Sequence, residues 1–284
     1  MPAYWSSASL HSQSEFAVVL VDKAAHKIHL ADYVDNKIEI KKSFHATLGK
    51  ANGDKEVEND FKTPEGIYFF ISKLSAPTLN KKLGKLALRI NYPNPFDQLN
   101  GKTGTDIMLH ATDDPTRLLK DQDSEGCVVV DNNEIEEIAR YVHLGLTPII
   151  IYPEMKPEYL TPLGTTTLKE AFERWLAAWT SKDLDTYIDS YAQNFRFGRM
   201  NLKQYQQYKG SLNKKYALID VQADHVRYYY HPKYSAVSFK QNYSSKLKNG
   251  SKGFKSAGTK TLYFVKTGDR FKIVDESYSF IKED

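Results

Sequence analysis

The hydrophobic rhythm of this chain changes once, near residue 160, and that change dictates most of its architecture. Before it, short apolar runs with strand character dominate: Phe16–Asp22, Lys27–Ala31, Lys37–Leu48, Ile67–Ser72, Leu86–Tyr92, Asp106–His110, Gly126–Val130 and Thr147–Tyr152. β-Branched residues such as Val128, Val129 and Val130 favour extended backbone. One helix interrupts the pattern after Asp131, where Ile135, Ile138, Ala139 and Val142 recur at helical spacing and Glu134 completes a capping pair. Pro153, Pro157 and Pro162 then punctuate the chain. Beyond them Leu168, Ala171, Phe172, Trp175, Leu176 and Trp179 form a helical stripe behind a Thr167–Glu170 capping box. Leu184, Tyr187, Ile188 and Tyr191 repeat that spacing after Asp183. Long strands follow at Leu218–Tyr230, Ser235–Ser244, Thr259–Lys266 and Arg270–Phe280, the last two joined by Thr267-Gly268-Asp269. This order predicts a mainly β domain followed by a separate α+β domain. We place a polar lead-in at 1–15, the first domain at 16–152, a linker at 153–164 and the second domain at 165–284.

Composition narrows the function classes. The chain has 284 residues, 41% hydrophobic and 26% charged, with 19 Tyr and 14 Phe, a globular profile rather than a disordered one. A net charge of +4 without clustered Arg and Lys in a known module falls short of a nucleic-acid-binding signature. No run reaches the roughly 18 apolar residues of a membrane helix. Residues 1–16 lack a basic segment followed by an apolar core, so no intact signal peptide is expected there. A single cysteine permits no internal disulfide and no cysteine-based zinc site. Neither a metal nor a cofactor is expected.

That cysteine, Cys127, carries the chemistry in our reading. A lone cysteine is as a rule a small buried hydrophobe. Here it sits in Ser124-Glu125-Gly126-Cys127-Val128, 17 positions after His110, and each of the two ends or opens a strand. Neighbouring strands would bring imidazole and thiol together, so that His110 could act as base and Cys127 as nucleophile. Gly126 permits a sharp turn, and the amides of Gly126 and Cys127 could donate to an oxyanion. The residues alone leave the bland and the catalytic readings level.

The segment resembles the active-site motif of the L,D-transpeptidase (YkuD-like) catalytic domain, a His followed by Ser-His-Gly-Cys. Lys62-Thr63-Pro64-Glu65-Gly66-Ile67-Tyr68, Asn91-Tyr92-Pro93-Asn94 and Thr105–His110 resemble further family segments, so the likeness spans about residues 14–152. It implies a YkuD-like β-sandwich, a peptidoglycan stem peptide as substrate, Cys127 and His110 as catalytic residues, and the Ala111 carbonyl as the group orienting the His110 ring. Tyr92, Ser124 and Arg117 are the expected substrate-binding residues. Three positions depart from the family: Glu125 replaces its second His, Ala111 a Gly, and Val129 an Arg. Ser-Glu-Gly-Cys-Val-Val-Val instead resembles the cell-shape L,D-carboxypeptidases of curved and helical Gram-negative bacteria, which append an NTF2-like domain. Phe172, Trp175, Ala178, Trp179, Asp183, Tyr187 and Tyr191 with the strand meander fit that second domain, the aromatic residues being read as core.

The resemblance implies removal of terminal D-Ala from stem tetrapeptides and a mature periplasmic protein. Cross-linking by transpeptidation is the alternative, and a non-catalytic wall- or partner-binding protein centred on the NTF2-like domain is the other. No convincing catalytic constellation is seen around Asp224, His225 and His231. Lys246–Lys260 holds five Lys and no acid, and is read as a long solvated hairpin loop, with contact to an anionic polymer as the sharper possibility.

Overall fold

The structure, a computed structural model, describes residues 17–75, 79–161 and 165–280. The lead-in at 1–15 and Pro162 lie outside the described residues. The first domain runs β1 (Ala17–Asp22), β2 (Lys27–Val34), β3 (Lys37–His45), β4 (Leu48–Gly49), β5 (Gly66–Ser75), β6 (Leu86–Ile90), α1 (Pro95–Leu99), β7 (Met108–His110), β8 (Gln122–Ser124), β9 (Val128–Val129), α2 (Asn132–Ala139) and β10 (Pro148–Tyr152). A 3₁₀ turn, Pro115–Leu119, stands between β7 and β8. Eight strands form one curled sheet in the order β3-β2-β1-β10-β5-β6-β7-β9, while β4 and β8 pair separately.

The continuous apolar runs of β1, β5 and β10 have a direct structural cause, because both faces of these strands are covered. Val19, Val21, Tyr68, Phe70, Ile149 and Ile151 point into the core of the first domain, with Leu88, Leu109, Val128, Val130 and the α2 residues Ile135 and Ile138. The alternate residues Val18, Leu20, Ile67, Phe69, Ile150 and Tyr152 face Tyr229, Tyr234, Ala236, Tyr263 and Val274 of the second domain. Burying each aliphatic side chain contributes about 1.5–3 kcal/mol. The expected capping pair holds α2: Asn133 N–H donates to Asp131 Oδ1 at 2.7 Å and Asp131 N–H to Glu134 Oε2 at 2.9 Å.

After α3 (Pro157–Leu160) the second domain comprises α4 (Thr165–Ser181), α5 (Leu184–Asp189), β11 (Arg196–Phe197), β12 (Met200–Asn201), α6 (Leu202–Lys215), β13 (Tyr216–Tyr230), β14 (Ser235–Leu247), β15 (Lys252–Thr267) and β16 (Arg270–Phe280). The four long strands form a meander in sequence order, and Leu168, Phe172, Trp175, Trp179, Tyr187 and Tyr191 are core. Three expectations change. Thr167 lies inside α4 rather than capping it. Helix α6 was not anticipated, although Asn201 and Gln204 form a capping box at its start. The lysine-rich stretch is not a long loop: β14 and β15 pair as far as Lys246 opposite Lys252, leaving a short turn.

The β13–β14 turn plugs into the first domain. Tyr234 Oη accepts Ile67 N–H at 2.6 Å and an Asn94 Nδ2 proton at 2.8 Å, and its ring stacks on Phe96 at 4.2 Å. The His231 ring meets the Ile151 carbonyl through Nε2 at 3.1 Å, and Nδ1 accepts Lys233 N–H. Lys233 Nζ reaches Asp54 at 2.7 Å and Glu65 at 2.8 Å. Among the described residues, no helix is long and apolar enough to cross a membrane.

Candidate active site

Strand register sets the two expected catalytic residues on neighbouring strands, His110 at the end of β7 and Cys127 just before β9. β7 and β9 run parallel with Leu109 opposite Val128 and His110 opposite Val129. Cys127 immediately precedes β9, one residue before Val128, and Val129 faces the same side of the sheet as His110. Val130 N–H donates to the His110 carbonyl at 3.0 Å, which fixes the register at this point. His110 is buried, and its Nδ1 lies 2.5 Å from the Ala111 carbonyl oxygen. A carbonyl can only accept, so the proton sits on Nδ1 and Nε2 keeps its lone pair. The side chain at position 111 plays no part in that contact, which explains why Ala serves where Gly is usual.

The thiol stands on a tight turn. Gly126 has φ +125°, a conformation that L side chains rarely adopt, and a Cβ there would lie 2.8 Å from the Lys62 carbonyl oxygen. Ser124 Oγ accepts Gly126 N–H at 3.1 Å and donates to the Cys127 carbonyl at 2.6 Å. Ser124 is buried and braces the turn, and it engages the Gly126 amide. The Cys127 N–H has no acceptor among the described residues.

Burial sets the protonation of both groups. It pushes the Cys127 thiol up to about 11, against the opposing pull of the Met108 N–H and the Arg117 charge. It also lowers His110 to about 4, opposed by the Ala111 carbonyl and helped by Arg117. At neutral pH the resting pair is therefore uncharged. Cys127 is partly exposed, and its thiol donates to the Asp106 carbonyl at 3.7 Å.

The remaining expected residues separate. Arg117, on the 3₁₀ turn, is near enough for its charge to act on both His110 and Cys127. Its Nε donates to Asp123 at 3.0 Å and its Nη1 to the Lys82 carbonyl at 3.1 Å, while Thr47 Oγ1 holds its own carbonyl at 3.0 Å. Tyr92 is brought elsewhere. Its ring is buried edge-on to Tyr68, and its hydroxyl is aimed at the Lys55 and Thr103 carbonyls at 3.3 and 3.2 Å, tying down the 53–63 loop. Glu125 is exposed beside the thiol. Val129 is fully buried, exchanging two 2.9 Å backbone bonds with Thr47. Asp106, unremarked in the sequence, has φ +60° and an ion pair with Arg89. No sequence signal beyond its place before the β7 strand marks it. Among the described residues, no group of three His, Cys, Asp or Glu side chains is placed to hold a metal ion.

The comparisons with known proteins agree with this geometry. Residues 17–151 match the L,D-transpeptidase catalytic domain, YkuD, and residues 167–277 match the Cds6 C-terminal NTF2-like domain. The chain is 33% identical to Bd1075 of Bdellovibrio bacteriovorus over 94% of both chains, with a TM-score of 0.77. The chain belongs to the YkuD family of L,D-transpeptidase catalytic domains. It carries that domain ahead of a Cds6-type NTF2-like domain. The helical cell shape determining protein Pgp2 of Campylobacter jejuni is 25% identical, with a TM-score of 0.71 over 92% of this chain and 91% of that one. YafK of Escherichia coli strain K12 is 32% identical over 90 residues, which span 32% of this chain and 32% of that curated relative. Val129 is buried, and the Arg117 charge acts on the thiol.

Two cavities lie away from Cys127. One of about 510 Å³ sits between the His143–Leu146 turn and the second-domain sheet. Another of about 550 Å³ lies inside the NTF2-like domain, walled by Trp179, Tyr187 and Tyr205, with Lys209 and Lys260 on its lining.

Proposed function

We propose that this chain is a peptidoglycan L,D-carboxypeptidase that trims stem tetrapeptides to tripeptides through a Cys127 acyl-enzyme, and that it acts in the periplasm on the wall that sets cell shape. The observation that carries this reading is the His110 ring, pinned by the Ala111 carbonyl at 2.5 Å so that Nε2 is a proton acceptor, on a strand that runs parallel beside the one Cys127 leads into.

Cys127 attacks the carbonyl at the L-centre of the third stem residue while its proton passes to His110 Nε2. The neutral resting pair calls for that transfer to accompany attack rather than precede it. The tetrahedral oxyanion takes a hydrogen bond from the Cys127 N–H. Collapse breaks the C–N bond, and the imidazolium returns its proton to the departing amine of D-Ala. Water then adds to the thioester, His110 takes its proton, and the thiol leaves as the acid forms.

Water rather than an amine as acceptor is supported by the exposed Glu125 and the buried Val129, which depart from the cross-linking members at positions flanking the nucleophile. The likeness to Pgp2 supports a role in cell shape. The test is incubation with disaccharide tetrapeptide, with and without Cys127→Ala, read by mass spectrometry. Loss of D-Ala only with the intact thiol is the expected result. Cross-linked dimers would replace this reading with transpeptidation, and an unchanged substrate with both proteins would leave a binding protein centred on the NTF2-like domain.

A further inference from the structure

The 50–65 loop forms a wall of the nucleophile turn. β4 pairs with β8, Lys50 N–H donates to the Ser124 carbonyl at 2.9 Å, and Gly49 N–H donates to Thr63 Oγ1 at 2.9 Å. The Lys62 carbonyl lies under Gly126, where it would stand 2.8 Å from an added Cβ. Ser124 and Gly126, the residues that hold the Cys127 turn, therefore rest on this loop.

Two acids close the loop. Glu65 N–H donates to Asp54 Oδ1 at 2.7 Å, joining its two ends. Lys23 bridges Glu65 at 2.9 Å and the carbonyls of Gly53 and Thr63 at 2.5 and 2.8 Å. Lys102 pairs with Asp54 and, at 3.1 Å, with the fully buried Asp97. These groups, at most 13% exposed, put three carboxylates against two ammonium groups. The third ammonium comes from the other domain. Lys233 Nζ lies 2.7 Å from Asp54 and 2.8 Å from Glu65, touching both closing acids at once. Without it a nearly buried cluster would hold one uncompensated negative charge, which such surroundings resist by rearranging.

We propose that Lys233 of the NTF2-like domain is a positioning residue for the Cys127 site, acting through Asp54 and Glu65 on the wall that supports Ser124 and Gly126. The link to catalysis rests on the function proposed above. The structural link does not, and the sole cysteine offers a substrate-free readout of it.

The experiment measures the rate of Cys127 alkylation by iodoacetamide at 25 °C, and separately kcat and KM on disaccharide tetrapeptide, in the full chain. Lys233→Met is expected to change the alkylation rate at least fivefold and to lower kcat similarly, with KM within twofold. Lys233→Arg, which keeps the charge, is expected to stay within twofold in every parameter. Tyr33→Phe removes a different bond across the domain interface, the 2.9 Å contact with Tyr228 N–H, and is expected to lower Tm without altering alkylation. Should Lys233→Met fail to fold, Lys233→Gln, which keeps a polar donor but not the charge beside Asp54 and Glu65, takes its place and must show the same change. A folded variant that alkylates at the wild-type rate overturns the proposal, as does an equal change in Tyr33→Phe. A wild-type chain that leaves tetrapeptide intact would sink the carboxypeptidase reading while the alkylation comparison still judges Lys233.

Discussion

Ser124 donates its hydroxyl proton to the Cys127 carbonyl at 2.6 Å and accepts the Gly126 N–H at 3.1 Å, so one side chain closes the turn on which the thiol stands. Removing that hydroxyl leaves a carbonyl and an amide unpaired where a positive φ already needs support. Ser124→Ala is expected to lower kcat/KM about tenfold, the equivalent of about 1.4 kcal/mol, and to cost about 1 kcal/mol of stability. Steady-state kinetics and urea melts measure the two. Unchanged kinetics would remove Ser124 from the support of the site.

The protonation states predict an unusual pH response. Because burial places the thiol at about 11 and His110 at about 4, iodoacetamide alkylation should rise about tenfold per pH unit between 7 and 9 without a plateau. The acid limb of kcat/KM should fall near pH 4, not near 6.5. A thiolate plateau below pH 8 would mean a preformed ion pair. Stability follows the same logic. His110 and His231, lowered to about 4 and about 3, stay neutral in the fold while the unfolded chain takes up protons below 6.5. The unfolding midpoint is therefore highest above pH 6.5 and falls as pH drops toward 4.

Tyr234→Phe tests the domain seam. Its hydroxyl satisfies the Ile67 N–H and an Asn94 amide proton, both buried. Losing it should cost about 2–3 kcal/mol, seen as a lower urea midpoint with a single transition for both domains. Two resolved transitions in the wild-type chain would contradict the shared core.

Lys209 offers a gain rather than a loss. Its ammonium lies 4.3 and 4.5 Å from the Trp179 and Tyr187 ring centroids, is buried, and forms no carboxylate pair among the described residues. Burial lowers it to about 7, more than the Glu276 charge raises it. Between pH 7 and 10.5 the unfolded chain binds the extra proton, so this group opposes folding most at low pH and least above 10.5. Lys209→Met should raise Tm, and by more at pH 6 than at pH 10. A lower Tm at pH 6 would mean that the ring contacts outweigh the burial of charge.

The residues that could be read from sequence are those whose role depends on local pattern. Asp131 and Glu134 announced α2, and the aromatic stripe from Leu168 to Trp179 announced α4. The place of His110 at the end of β7 and of Cys127 just before β9 was legible because motif and strand ends coincide. What the pattern hid was partnership. Nothing in a sequence says that the Ser124 hydroxyl bonds Gly126 and Cys127, or that the Tyr92 hydroxyl is aimed at the Lys55 and Thr103 carbonyls. Helix α6 escaped because its apolar stripe is sparse: Leu202, Tyr205 and Leu212 pack on the core, but Lys209 takes the place between them. The lysines of β14 and β15 read as loop because composition outweighed pairing, yet Lys246 sits opposite Lys252 in a ladder.

The alternation of β1, β5 and β10 between two cores bears on the chain while it is being made. Val18, Leu20, Ile67, Phe69 and Ile150 need Tyr229, Tyr263 and Val274 to cover them, and Val274 follows Tyr152 by roughly 120 residues. At about 5–20 residues per second, synthesis leaves that apolar face uncovered for on the order of ten seconds after the first domain has emerged. The newborn first half thus exposes that face until its own second half arrives. Cutting the gene near residue 160 would make that interval permanent.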